Sequence, residues 1–192
     1  CISECRLVFD WIVKKKEKNS IDNPFRAIIL HNVEAFSEST SYIPEEVIKM
    51  LKEKLNELPR FVQAAWTIMM NTGIRISEVI NLKEDCVIYD TKDSVYYLKF
   101  IPHKTLQYRR KLGLEDYHYL PINDTNLINV INQQIKDTKD LREINKENKI
   151  FLKNTPKGVK LYSNQEISRA INGLIHKYNI CDRDGVLWKY TH

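Results

Sequence analysis

A chain of 192 residues, 43% apolar and 29% charged, has room for one good-sized domain, or for a domain and a piece of another. Its net charge of +5 and isoelectric point near 8.9 lean mildly towards a polyanionic partner. No apolar run approaches the roughly 20 residues that cross a bilayer, and no basic-then-apolar leader is present, so a cytoplasmic protein is expected. Cys1, Cys5, Cys86 and Cys181 are scattered without the paired spacing of a zinc site, and are expected to be reduced packing thiols. No metal or cofactor is expected.

Residues 1–24 carry a helical pattern, Ile2, Cys5, Leu7, Val8, Phe9, Ile12 and Val13, followed by a basic end at Lys14–Lys16 and turn chemistry at Asp22-Asn23-Pro24. A helix that begins at residue one with a full apolar face implies a chain that starts inside a larger protein. Asn32 to Tyr42 is polar and serine-rich, giving a linker over 31–43. Pro44-Glu45-Glu46 opens the next helix, with proline at its first position and Ile43 at its cap. Val47, Leu51, Leu55 and Leu58 form its stripe, and Pro59 ends it. Phe61 to Met70 is apolar enough for a buried helix, which Gly73 stops. Arg75 follows, and a second amphipathic helix then buries Ile76, Val79 and Ile80.

After Leu82 the periodicity changes from helical to alternating. Strands are expected at Cys86–Tyr89, Val95–Ile101 and His118–Ile122, with a turn over Asp90–Asp93. A basic loop, His103-Lys104-Thr105-Leu106-Gln107-Tyr108-Arg109-Arg110-Lys111, forms the tip of a hairpin between the second and third strands. Helix returns with Leu127, Val130, Ile131 and Ile135, then a charged stretch to Lys149 and a short buried run at Ile150–Leu152. Ser163 and Glu166 make a capping box for a helix whose core face is Ile167, Ile171, Leu174, Ile175 and Tyr178. Asp182 to Gly185 is a turn, and the chain stops at Trp188–His192 without a terminal cap, as though cut. The fold class is mainly α with a small three-stranded antiparallel sheet, an α+β core.

Breaking a phosphodiester without a metal requires an in-line nucleophile, cations for the non-bridging oxygens and an acid for the leaving oxygen. Arg75, a permanently charged planar fork between two buried helices, is the natural clamp. Lys104, at a strand end on a basic hairpin, is the natural acid. The competing readings are an exposed Arg75–Glu78 helical ion pair and a solvated hairpin charge at Lys104. Tyr108, Arg109, Arg110 and Lys111 read as phosphate-contacting or solvated groups. His103 and His118 receive no role.

The stretch N-T-G-I-R-I-S-E-V-I-N-L, Asn71 to Leu82, resembles the first arginine box of the tyrosine recombinases, the phage integrases and their transposon-borne relatives. The resemblance implies that Arg75 contacts the scissile phosphate with Glu78 in support. Strand-H-K-T resembles the family's lysine hairpin and points to Lys104, although it follows Arg75 at a slightly greater interval than in compact members. Lys111 is the less favoured lysine. F-D-W-I-V-K…N-P looks like the last helix of an N-terminal core-binding domain, which makes 1–30 its remnant and 44–192 a catalytic domain lacking its last helices. Nothing here reads H-x-x-R. Leu187 to His192 resembles the lead-in to that box, with His192 its histidine or the residue before it, and neither Tyr178 nor Tyr190 is placed as the nucleophile.

The implied activity is site-specific recombination through a 3′-phosphotyrosine, without cofactor, for integration or transposition of a mobile element. The implied partners are double-stranded DNA at specific sites and further copies of the full-length protein, and the fragment alone is expected to be inactive. The alternatives are a non-catalytic DNA-binding or accessory protein derived from an integrase, and a helical interaction domain in which the Arg75–Glu78 pair is structural.

Overall fold

The computed structural model describes residues 43–190. The expected helix at 1–24, the linker apart from its last residue Ile43, and His192 lie outside the described residues. The chain divides into two units, Cys1–Tyr42 and Ile43–His192, and the second is the one described here.

Its first helix, α1 (Glu45–Lys54), starts with Pro44 at the cap, one position later than expected, and has acids in its first turn and lysines in its last, matching the helix dipole. A 3-10 turn (Leu55–Glu57) leads to α2 (Arg60–Thr72), whose Val62, Ala65, Trp66 and Ile68 are almost wholly buried. α3 (Ile76–Val79) is shorter than the expected amphipathic helix: after one α-turn the amides of Asn81 and Leu82 bond three residues back, tightening the chain before the sheet.

The sheet is antiparallel in the order β1 (Val87–Asp90), β2 (Val95–Phe100), β3 (His118–Ile122). Val87 pairs with Leu98, and Leu98 with Leu120, so one face carries Leu98, Phe100 and Ile122 into the core. A six-residue helix, α4 (Leu106–Lys111), replaces most of the expected basic loop. α5 (Thr125–Asp137) begins with Asp124 accepting the Asn126 amide at 2.8 Å, and α6 (Lys139–Asn145) occupies part of the charged stretch that runs to Lys149.

A second antiparallel pair, β4 (Leu152–Thr155) and β5 (Gly158–Leu161), was not anticipated. Its strands are only four residues long, too short for an alternating pattern to announce them. α7 (Asn164–Tyr178) has the expected capping box: Ser163 Oγ accepts the Glu166 amide, and Glu166 accepts the Ser163 amide at 2.9 Å. Ile167, Ile171, Leu174 and Ile175 are buried as expected, but Tyr178 is exposed and gives its hydroxyl to Glu57, the core contact passing instead to Ile180 beyond the left-handed Asn179 (φ 47°).

α2 is the central element, packing on α3, α5 and α7. One contiguous core joins the helices to Leu98 and Phe100 of the sheet and to Ile150 and Phe151. Among the described residues no helix is long and apolar enough to cross a membrane.

Candidate active site and nucleic-acid interface

The Arg75 corner is built from local backbone chemistry. α2 ends at Gly73 (φ 69°), whose amide bonds Met69 O at 2.8 Å. A left-handed residue there costs a side-chain-bearing residue more than it costs glycine. Thr72 Oγ1 donates to Ile68 O at 2.6 Å and accepts the Ile74 amide. The buried Ile74 and Ile76 anchor the chain on both sides of Arg75, which is extended (φ −73°, ψ 152°) at the cap of α3. Glu78 then closes the corner: its carboxylate accepts the Arg75 amide at 2.8 Å, while its own amide donates to Arg75 O at 2.8 Å.

The two charges of this corner are unequally placed. The Glu78 side chain is 3% exposed and Arg75 is 55% exposed, with Nη1 3.5 Å from the carboxylate. A buried carboxylate held by a backbone amide is fixed, and the guanidinium beside it keeps most of its donors towards solvent. The arrangement therefore orients a cation outward from a rigid corner.

Lys104 leaves β2 in the turn Pro102–Thr105, closed by the Thr105 amide on Pro102 O at 3.0 Å. It is exposed, and its ammonium takes part in no ion pair among the described residues. The segment behind it is a structured helix. Gly113 (φ 67°) stops α4, with the Leu114 amide on Arg109 O and the Gly113 amide on Arg110 O, both at 3.0 Å. Arg109 donates from Nε to Glu115 O at 3.0 Å and from Nη2 to Tyr117 O at 2.9 Å. Arg110 makes a two-pronged pair with Asp116 at 2.8 and 2.6 Å, which lowers the Asp116 carboxyl below the usual range. Of the three basic residues predicted to meet nucleic acid, Arg109 and Arg110 are thus engaged within their own segment and Lys111 stands exposed.

A further cluster escaped the sequence. Lys83 Nζ donates to the Tyr117 hydroxyl at 2.9 Å, and Lys99 Nζ lies 4.5 Å from the Tyr117 ring centroid while bonding Asp85 Oδ2 at 2.6 Å. The Asp85 bond raises the Lys99 ammonium and lowers the Asp85 carboxyl. Lys83 follows the Arg75 corner and Tyr117 closes the connection that carries Lys104, so this joint ties the two candidate elements together. Its members come from three separate stretches, and the only signal in the sequence was Lys99 at an outward position of an alternating strand.

Two tyrosines near the end of the chain are already occupied. The Tyr178 hydroxyl donates to Glu57, which also pairs with Lys177 at 2.6 Å. Tyr190 sits edge-on to Trp66 and Trp188, and burial pushes its phenol up. Among the described residues no group of His, Cys, Asp or Glu side chains is placed to hold a metal ion.

Residues 41–184 match the model of the phage integrase family. The chain belongs to that family. Transposase B from transposon PsiTn554 and transposase B from transposon Tn554, both of Staphylococcus aureus, are each 27% identical to it over 150 residues, covering 78% of the chain. The chain spans about a fifth of the length of these relatives, 21% in each case. No solved structure matches it. For an integrase-family chain, the mainly helical architecture with one three-stranded antiparallel sheet is the expected one, and the arginine box read from Asn71–Leu82 lies within the matched residues.

Proposed function

We propose that this chain supplies the catalytic domain, over residues 44–192, of a site-specific DNA recombinase that integrates or transposes a mobile element. Arg75 binds the non-bridging oxygens of the scissile phosphate, and Glu78 positions it. A tyrosine hydroxyl attacks phosphorus as its proton passes to solvent, the bond from phosphorus to the 5′ oxygen breaks, and Lys104 gives that oxygen its proton. The product is a 3′-phosphotyrosine, and attack by a 5′ hydroxyl reverses the step, so joining needs no external energy. Neither Tyr178 nor Tyr190 is assigned as the nucleophile, and the chain alone is inactive in this scheme. Its partners are double-stranded DNA at recombination sites and further copies of the full-length protein on that DNA, in the cytoplasm. Lys111, with the basic surface around Arg109 and Arg110, faces phosphates.

One observation carries this reading: an outward guanidinium beside a buried carboxylate within a family-matched arginine box. The test has two arms. Binding to duplex DNA by the chain is expected to weaken steeply as salt rises, as counterion release requires. In the full-length parent, Arg75→Ala is expected to abolish covalent protein–DNA adducts while leaving binding largely in place. Adducts at parental levels from that variant end the catalytic assignment, and absence of duplex binding at low salt ends the DNA assignment.

A further inference from the structure

The ladder between β2 and β3 stops at the pair Phe100–His118, so the connection carrying Lys104 leaves the sheet at Ile101 and returns at Tyr117. Those two feet meet. Ile101 and Tyr117 line one enclosed space with Lys83 and Lys99, and its volume is about 10 Å³, the lower limit for a single water molecule. Tyr117 is held there at three points: its hydroxyl accepts Lys83 Nζ at 2.9 Å, its ring centroid lies 4.5 Å from Lys99 Nζ, and its carbonyl accepts Arg109 Nη2 at 2.9 Å. The hydroxyl bond is the one that reaches outside the sheet and its connection. Lys83 stands next to the buried Leu82, at the end of tight bonds from the Asn81 amide to Glu78 O and from the Leu82 amide to Val79 O. Among the described residues Lys83 makes no ion pair, and its ammonium is spent on the phenol.

We infer that Tyr117 is a positioning residue for strand cleavage: through Lys83 it ties the foot of the connection to the Arg75 corner, and so sets where the Lys104 ammonium stands relative to the Arg75 guanidinium. This rests on the roles proposed above for Arg75 and Lys104 and adds the residues that fix their spacing. The path from the joint to Lys104 is stiff. Pro102 has a fixed φ, and the Thr105 amide on Pro102 O at 3.0 Å closes the turn that holds Lys104. The path to Arg75 runs through Glu78, whose carboxylate accepts the Arg75 amide at 2.8 Å. A proton donor serves a leaving oxygen only within hydrogen-bond reach of it. With the phosphate clamped at one point, a displacement of the donor by about 1 Å costs on the order of a hundredfold in rate. Tyr117 itself touches neither the phosphate nor the leaving oxygen, and it acts through Lys104.

The test measures strand cleavage by the full-length parent on two duplexes, one with the ordinary 5′ oxygen at the scissile phosphate and one with sulfur in its place. On the second, the bond from tyrosine oxygen to phosphorus forms, the bond from phosphorus to sulfur breaks, and sulfur leaves as a thiolate, which needs no proton near its ordinary pKa of about 8.5. Lys104→Ala is expected to lose about a hundredfold or more on the oxygen duplex and to regain the parental rate on the sulfur duplex. Tyr117→Phe keeps the ring and the carbonyl and removes only the hydroxyl. It is expected to lose about ten- to a hundredfold on oxygen and to recover on sulfur. Lys83→Met is expected to match it, the two together to cost little more because they break one bond, and Lys83→Arg, which keeps a donor, to restore most of the rate. The ratio of the two rates from one preparation is independent of the folded fraction, so instability does not imitate the result. Duplex affinity of Tyr117→Phe is expected to stay parental, since no cation is removed. A parental oxygen rate in Tyr117→Phe overturns the inference. An equal loss on both duplexes places Tyr117 in the fold alone, and a loss of affinity as large as the loss of rate places it in binding; each also overturns it. If sulfur fails to rescue Lys104→Ala, the acid role of Lys104 falls, and this inference with it.

Discussion

Replacing Glu78 tests whether the arginine corner is built as described. In Glu78→Ala the Arg75 amide loses its 2.8 Å acceptor and the cap of α3 loses its only side-chain bond. A hydrogen bond to a charged group contributes about 1.5–3 kcal/mol, and the loss of a cap is usually worth about 1 kcal/mol of that. The Arg75 side-chain pair adds little, because at 3.5 Å with a half-exposed guanidinium it belongs with surface ion pairs of about 0–1 kcal/mol. The expected loss is therefore about 2–3 kcal/mol, which for a domain of this size lowers Tm by roughly 5–10 °C. Glu78→Gln keeps an acceptor for the amide and loses the charge, so about half that loss is expected. Arg75→Ala keeps the backbone amide and is expected to shift Tm by less than about 2 °C, while abolishing catalysis in the full-length parent. Thermal unfolding by circular dichroism reads all three. If Arg75→Ala unfolds as early as Glu78→Ala, the arginine is a structural partner and the assignment of its outward face to phosphate is wrong.

Three further outcomes follow from the described contacts. Arg142→Ala removes a buried guanidinium that bonds Ile135 O and Thr138 Oγ1, both at 2.8 Å, and Glu84 at 3.1 Å, and should cost about 2–4 kcal/mol by urea denaturation. Cys86 is buried and its thiol is pushed up to about 12, so peptide mapping after iodoacetamide at about pH 8.5, near the ordinary thiol value, should find it unmodified in the folded chain and labelled after unfolding. The folded Asp116 carboxyl lies below its unfolded value near pH 4, so the Arg110 brace is fully present above that pH and is lost as pH falls through the lower folded value. Amide exchange at Gly113 and Leu114 should accelerate over that acid window in the parent chain, and Asp116→Asn should remove the acid-dependent step.

The parts of this fold visible in the sequence are those set by short-range chemistry. Gly73, Arg75 and Glu78 lie within six residues, and the turn, the extended residue and the cap are decided among them. The same holds for the Ser163–Glu166 box and for Leu98 and Phe100 alternating in β2. α4 was hidden because Leu106–Lys111 has no apolar stripe; its helix is closed by Gly113 and by arginine bonds to residues further along. The fates of Arg109 and Arg110 were hidden for the same reason, since their partners at Glu115, Asp116 and Tyr117 are chosen by how the chain returns to β3. The Lys83–Tyr117–Lys99 joint depends on pairings across the sheet, which spacing does not encode.

Desolvation also explains why one arginine of this domain faces outward and another does not. At the Arg75 corner the acid is buried (3%) and the cation exposed (55%), whereas at Arg142 the cation is buried (8%) and Glu84 is exposed (52%). A buried guanidinium must satisfy its donors internally, and Arg142 does so with a carbonyl, a hydroxyl and a carboxylate. Glu78, buried in its place at the other corner, needs fewer partners and takes a backbone amide as its main one. Among the described residues, that choice leaves the Arg75 fork with one nitrogen at 3.5 Å from the Glu78 carboxylate and the side chain 55% exposed. Reversing it, with Glu78→Arg and Arg75→Glu together, would keep the pair and its charge sum but bury the cation and present a carboxylate. The double swap should therefore lose duplex-dependent catalysis in the parent as completely as Arg75→Ala, which no account based on the ion pair alone requires.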